Sequence, residues 1–331
     1  MSNGYTSPRD TYNDGVFRKT PGRERIIHWP SAEPVPIQKE VQLLMSGTLV
    51  RRGEFGPLCG SRAIEVDLEC AELGIHFDQA LSIRKQLMIS KVLKGGSWKL
   101  KDEYTMKRIR KEFEQKQRPL LEISQRYDLP PVSIFRAIVA PRVLNAYPQF
   151  TCLDRTRPAG RIVQSIISET CPDQLKAFVS DWEVNELKIA KEFDMVGYSG
   201  SGNCTAAEEW ERSIYAFLDD QKINYLTEET LKLYGYGDMG TPDCLLVDDL
   251  FIHGKLVKWI EFKCFYASGL KENSYFARKA VGRQVKKYGK SFGKSGAVIL
   301  KNGFSTEISR RYPSTLFLDG GSLSSKNDFN L

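Results

Sequence analysis

Three polar residues toward the C-terminal end of this 331-residue chain have the types and spacing of a metal-assisted hydrolytic site. Asp243 stands in Thr241-Pro-Asp-Cys-Leu-Leu-Val247, and Glu261 and Lys263 stand in Lys258-Trp-Ile-Glu-Phe-Lys-Cys264. On an extended strand, side chains two residues apart project from the same face, so Glu261 and Lys263 share one. Asp243 meets them when the intervening chain folds back as a hairpin. Two carboxylates and the Phe262 carbonyl make an all-oxygen ligand set, which suits Mg²⁺ (or Mn²⁺), a cation that keeps several of its waters. A lysine beside it can orient or help deprotonate a water and stabilise charge on a phosphoryl centre in the transition state. Surface hairpins with a solvated Glu–Lys pair show the same letters by chance. Here, however, the Glu-x-Lys lies in an apolar, aromatic strand, where paired charges need a reason.

The elements around these residues must bring them together. Thr205-Ala-Ala-Glu208 has the form of a capping box opening a helix that runs to about Leu218. Ala207, Glu211, Ile214 and Leu218 form its inward stripe, so Glu211 points at a core and needs a partner, a metal or a lysine. A short helix is expected at Glu228–Leu233, then a Gly-rich turn and a strand that Asp243 opens. Pro242 stands just ahead of that strand, where no ladder N–H is lost. A hairpin tip at Gly254 leads into the strand of Glu261. A helix with Ala277, Val281, Gln284 and Tyr288 on one face then brings Gln284 toward Lys263. Gly296–Leu300 and Thr315–Leu318 read as the last strands. The order helix, strand, strand, strand, helix, strand is that of restriction-endonuclease-like folds. Gly289-Lys-Ser-Phe-Gly-Lys-Ser295 mimics a phosphate-binding loop, but Tyr288 occupies the position of its first glycine and a helix precedes it, so it reads as a basic turn.

Residues 1–38 are Pro-dotted and aperiodic and read as a disordered N-terminal arm. Residues 39–196 read as an all-α region, 197–322 as the α/β domain and 323–331 as a disordered tail, with a Gly/Ser loop at 197–203 marking the boundary. Within the helical region, Pro119 to Val139 reads as a helix-turn-helix (about 119–140) with its turn at Asp128 to Pro130. Ile134, Phe135 and Ile138 face the first helix, leaving Ser133 and Arg136 outward to contact a major groove; a plain helical hairpin is the alternative. The net charge of +7 permits an anionic partner without identifying one. Its placement is more informative. Lys271 to Lys294 carries eight basic residues, Lys286 and Lys287 among them, against the single acid Glu272, and Lys107, Arg108, Arg110 and Lys111 form a second cluster; each reads equally well as a solvated helix face. Seven scattered cysteines and three scattered histidines point to a reducing compartment, nucleus or cytoplasm, and away from a structural zinc. No apolar run approaches a membrane span.

Gly240-Thr-Pro-Asp-Cys-Leu-Leu-Val247, Trp259-Ile-Glu-Phe-Lys263 and Gln284-Val-Lys-Lys-Tyr-Gly-Lys-Ser-Phe-Gly293 resemble the TPD-motif family of PD-(D/E)xK nucleases, and the segment from Pro119 to Tyr147 is similar to its N-terminal half. The likeness covers roughly residues 118 to 320 and is strongest from 240 to 265. It implies a Holliday-junction-resolvase-like nuclease domain behind helix-turn-helix domains, acting in the nucleus or cytoplasm on DNA more than on RNA, with a codanin-like protein as a further partner and a homodimer left open. It carries over Asp243, Glu261 and Lys263, and Gln284 beside them. The family's helix has two acids, which align at Glu209 and Glu211; the inward stripe selects Glu211. The arm, much of the stretch to 118 and the loop Gly235 to Gly240 depart from the family, which leaves the substrate open. The expectation is thus a metal-dependent endonuclease or other phosphodiesterase; the alternative is a non-catalytic nucleic-acid-binding or scaffold protein on the same fold.

Overall fold

Helical spacing before residue 195 and apolar alternation along 244–263 resolve into two units in the computed structural model, which describes residues 24–30, 37–148, 158–168, 177–197, 202–270, 280–321 and 323. One unit comprises Met45–Gly74 and Arg84–Asn203, the other Met1–Leu44, Ile75–Ile83 and Cys204–Leu331. Among the described residues no helix is long and apolar enough to cross a membrane.

Among the described residues the α-helices of eight residues or more up to residue 192 are α1 (Lys39–Leu49), α2 (Gly60–Leu73), α3 (Phe77–Lys91), α4 (Glu103–Arg110), α5 (Leu120–Tyr127), α6 (Pro131–Ala146), α7 (Pro158–Ser168) and α8 (Asp181–Glu192). The pair α5–α6 is the one expected around 119–140. It turns at Asp128, whose φ is +56° and whose carboxylate accepts the Gly53 N–H at 2.8 Å and the Lys91 ammonium at 2.6 Å. Pro131 fills the first turn of α6, where its missing N–H costs nothing. The following free donor, the Val132 N–H, is capped from a distance by Asp194 Oδ2 at 2.9 Å.

The expected outward face of α6 is its half-buried stripe. No residue from Pro131 to Leu144 is exposed. Val132, Val139 and Val143 join Ile134, Phe135 and Ile138 in the core, while Ser133, Arg136 and Ala137 stay half-buried on the other stripe. Arg136 donates to Gln164 Oε1 of α7 at 3.1 Å. With Ser133 and Arg110 these two line a cavity of about 420 Å³. The stripe facing α5 was legible in the sequence; the covering of the other sides by α7 and α8 was not.

The second unit is built on a six-stranded sheet: β1 (Arg25–Ile27), β2 (Tyr225–Thr227), β3 (Cys244–Ile252), β4 (Lys255–Lys263), β5 (Gly296–Leu300) and β6 (Thr315–Asp319). The order is β1-β3-β4-β5-β6, with β2 also pairing β3. β1 runs parallel to β3 at 250–252, and β2 antiparallel to it at 244–246. β3 and β4 form the expected hairpin. Its tip, His253-Gly254, has φ of +49° and +72°, the paired positive values of a two-residue turn that matches strand twist. β4, β5 and β6 are parallel. The α-helices among the described residues of the unit's C-terminal part are α9 (Gly202–Asp220), α10 (Glu228–Leu233), α11 (Gly282–Ser291) and α12 (Thr306–Arg311). Alternation along β4 sorts its side chains between two cores. Ile260 and Phe262 pack with Trp210, Ile214 and Leu218 of α9. Trp259 packs with Val285 and Tyr288 of α11 and with Leu231 of α10. Glu261 and Lys263 share the Trp259 side.

A mixed α/β sheet with helices on both faces is what the α/β expectation required. The details differ in four places. Helix α9 starts at Gly202, so Thr205 lies inside it rather than at its cap. Residues 25–27, inside the stretch read as an arm, form β1; the rest of that reading, at 1–23 and 31–36, lies outside the described residues, as do residues 198–201 of the Gly/Ser loop, Ala277 and the basic residues Lys271, Arg278 and Lys279, and the tail apart from Leu323. A six-residue helix, α12, intervenes between the last two strands. Finally, the segments 37–44 and 75–83 group with the sheet, not with the helices that flank them in sequence. The reason is polar and long-range. The Tyr266 N–H donates to Ser82 Oγ at 2.8 Å, and Ser268 Oγ to Gln42 Oε1 at 2.9 Å.

Gly296 opens β5 directly against the Trp259 indole, and a Cβ there would run into the ring. Gly296→Ala is therefore expected to lower stability by about 3 kcal/mol through overpacking, read as a fall in the urea midpoint at unchanged slope; an unchanged midpoint would contradict this packing.

Candidate active site

Antiparallel pairing sets Cys244 opposite Ile260, which brings Asp243, one residue ahead of β3, level with the end of β4. The contact is closed by the Phe262 N–H, which donates to Asp243 Oδ2 at 2.5 Å. From the α9 face, Tyr215 donates its hydroxyl proton to the Asp243 carbonyl at 3.3 Å. Pro242 just before can supply no competing N–H.

Glu261 is 3% exposed. Its Oε1 accepts both the Lys263 ammonium and Gln284 Nε2, the latter at 2.6 Å. Its Oε2 is buried and has no hydrogen-bond donor among the described residues. The Tyr288 hydroxyl lies beside this carboxylate, but its single proton goes to the Thr241 carbonyl at 3.0 Å. Gln284 Oε1 is likewise a buried acceptor without a donor. Unmet acceptors in a dry site are costly, and here two belong to side chains that already touch each other.

Burial, and then the charge of Glu261, push the Asp243 carboxyl up to about 7, against the pull of the Phe262 N–H and Lys263. Burial also raises Glu261, with Lys263 opposing it. Glu211, half-buried on α9, is raised by burial and then by the charge of Asp243, while Lys263 pulls it down. The same helix's Glu208 and Glu209 are exposed. The structure brings Asp243, Glu261, Lys263 and Gln284 together at the end of the hairpin, whereas Glu211 acts there only through its charge and does not close with Asp243 and Glu261 into the expected three-carboxylate metal group. It adds Glu228, at the start of α10. Burial acts upward on Glu228, but Lys232, the Thr241 hydroxyl and Lys263 outweigh it and hold its carboxyl below the ordinary range. Its Oε1 accepts from Thr241 Oγ1 at 3.0 Å. The sequence signal for Glu228 was ambiguous, because an acid in a helix's first turn is already accounted for by the helix dipole.

Of the residues expected to touch nucleic acid, Lys286 and Lys287 are exposed on α11. The Lys287 stem covers Gly240, where a Cβ would meet its Cε at 2.6 Å. Ser133 and Arg136 belong to the other unit.

The oxygens available to a hard cation are those of Asp243 and Glu261. Among the described residues no three of His, Cys, Asp or Glu converge closely enough, as they stand, to hold one ion. The donor set is therefore two carboxylates, oxygen ligands of the kind Mg²⁺ accepts alongside waters.

Comparison with known proteins agrees with the TPD-motif resemblance. Residues 182–319 match the family described as "Protein of unknown function TPD sequence-motif". Over 205 residues the chain is 25% identical to the CDAN1-interacting nuclease 1 of Danio rerio, covering 61% of this chain and 61% of that protein. The match thus spans about three fifths of that relative's length. No solved structure matches.

The Asp243 shift has a stability consequence. An unfolded aspartate titrates near 4, so between about 4 and 7 the folded chain binds a proton more tightly than the unfolded one. Without metal, this group's contribution is most favourable at low pH and falls as pH rises through that window. Asp243→Asn should flatten the dependence and, at pH 8 in EDTA, raise stability by on the order of 2 kcal/mol. Urea melts at pH 5 and pH 8 check this; identical pH dependence in both proteins would contradict it.

Proposed function

We propose that the sheet unit is a metal-dependent phosphodiesterase of the nuclease kind, acting on DNA or structured nucleic acid at Asp243, Glu261 and Lys263. The observation that carries this reading is the buried acid pair at the end of the β3–β4 hairpin, with Glu261 Oε2 left without a donor beside a lysine. The name of the Danio rerio relative supports the nuclease class. A divalent cation in this donor set would supply positive charge to a phosphoryl oxygen and make a water more acidic.

The chain's own residues then have distinct tasks. Asp243, anchored by the Phe262 N–H, fixes one ligand oxygen against the strand. Gln284 holds Glu261 by its Oε1, which leaves Oε2 as the free ligand atom. Lys263, on the same Oε1, can orient the attacking water and stabilise negative charge on the phosphorus centre as it develops. Glu211 and Glu228 add negative potential at the rim, which favours cation capture. A codanin-like partner is carried over from the relative's printed name alone.

One observation favours the second reading, a non-catalytic binding protein: the Lys263–Glu261 contact neutralises the more buried acid without any metal. Labelled single-stranded, duplex, flap and four-way DNA, with Mg²⁺ or Mn²⁺, separates the two. Cleavage should require metal and fall about a hundredfold or more in Glu261→Gln and Lys263→Ala. Cleavage at the wild-type rate by either variant would overturn the site. Tight binding of the DNA with no cleavage of any member would favour the second reading.

A further inference from the structure

Helix α11 presents different chemistry on its two edges. Gln284 and Tyr288 meet Glu261 and the Thr241 carbonyl. Val285, Lys286, Gly289 and Lys290 instead form one wall of a groove of about 360 Å³, and Lys294 with the turn at 311–315 forms the other. Lys286, Lys290, Lys294 and Arg311 are exposed around it, and no Asp or Glu lines it. None of the four is ion-paired among the described residues. Other lysines in this unit do have acids, as in Lys232–Glu228 at 2.8 Å and Lys258–Asp249. Four like charges around one concavity repel one another, and an anionic ligand removes that cost.

The floor limits what the anion is. Val285, Tyr312 and Pro313 offer apolar surface, which has nothing to give a bare inorganic ion but suits a sugar or the face of a base. The volume lies in the range of small-ligand pockets. We propose that this groove holds the sugar–phosphate backbone of a nucleic-acid strand whose scissile phosphate lies at Asp243 and Glu261, an inference that rests on the phosphodiesterase reading. A helix with its side chains is about 10–12 Å across, and the duplex axial rise of about 3.4 Å per phosphate is a lower bound on the spacing along a strand, so the groove takes a phosphate no more than about three along from the one cut. The substrate is then a strand of several nucleotides, and a dinucleotide cannot span both sites.

The test uses the full chain in EDTA, so that no metal-dependent cleavage intervenes. Fluorescence anisotropy follows a labelled DNA oligonucleotide and a labelled dinucleotide across a salt series, for wild type, Lys290→Ala/Arg311→Ala and Lys290→Glu/Arg311→Glu. Both side chains are exposed, and circular-dichroism melts verify that the variants fold. The alanine pair should weaken oligonucleotide binding about tenfold or more and lower the salt slope by about 1 per cation lost. Charge reversal should weaken it further, and wild type should bind the dinucleotide far more weakly than the oligonucleotide. Unchanged affinity and slope in the reversal variant overturn the groove. Equal binding of the dinucleotide, or competition by inorganic phosphate as effective as by oligonucleotide, overturns the strand assignment. Loss of binding to phosphatidylserine vesicles with oligonucleotide binding intact also overturns it. The two readings fail separately. Groove variants that lose binding while wild type cleaves nothing keep the groove and remove the hydrolase; groove variants that bind normally while Asp243→Asn abolishes cleavage do the reverse.

Discussion

Two carboxylates are forced into the same dry pocket by main-chain pairing. β3 and β4 are antiparallel, so the residue that opens one strand comes beside the residues that close the other, and the Phe262 N–H binds Asp243 at that point. Desolvation pushes both acids upward, and the charge of Glu261 adds to the rise of Asp243. Three flanking helices and the strand itself bring groups to bear on that strain: Glu211 and Tyr215 from α9, Glu228 from α10, Gln284 and Tyr288 from α11, and Lys263 from β4. The lysine and the glutamine satisfy one oxygen of Glu261 and leave the other unmet. A structure that concentrates acid, buries it and stops one hydrogen bond short of satisfying it has the perturbed groups expected of a functional site.

The hairpin was legible because its signals are local. Alternation along 258–263, a Gly at the tip and a Pro just ahead of Asp243 each act within a few residues. Gln284 and Glu211 were legible for a similar reason, since each is a polar residue on an otherwise apolar helical stripe. Glu228 was not, because its place at a helix start already explained it. The strands at 25–27 and 225–227 are three residues long, too short for a period to show, and form because β3 offers an unpaired edge. The grouping of 37–44 and 75–83 with the sheet depends on hydrogen bonds between residues up to 226 apart, which no window of sequence contains.

The helical pair α5–α6 shows the opposite failure. Its turn, its proline and the stripe between the helices stand as read. Its outward stripe is half-buried rather than open, since exposure depends on every neighbour and the sequence displayed only one. Lys107 and Arg108 of α4 are exposed and Arg136 is half-buried, and α11 carries exposed lysines of its own, its acid-site edge and cationic edge one helix width apart.

The central claim is that Asp243 and Glu261 hold a divalent cation, and Mn²⁺ binding followed by electron paramagnetic resonance without nucleic acid tests it most directly. Wild type at pH 8 should bind Mn²⁺, more weakly as pH falls through 7 because the ion must displace the Asp243 proton. Glu261→Gln should lose at least about tenfold in affinity. Equal binding by the two proteins, or none by the wild type, would contradict the account.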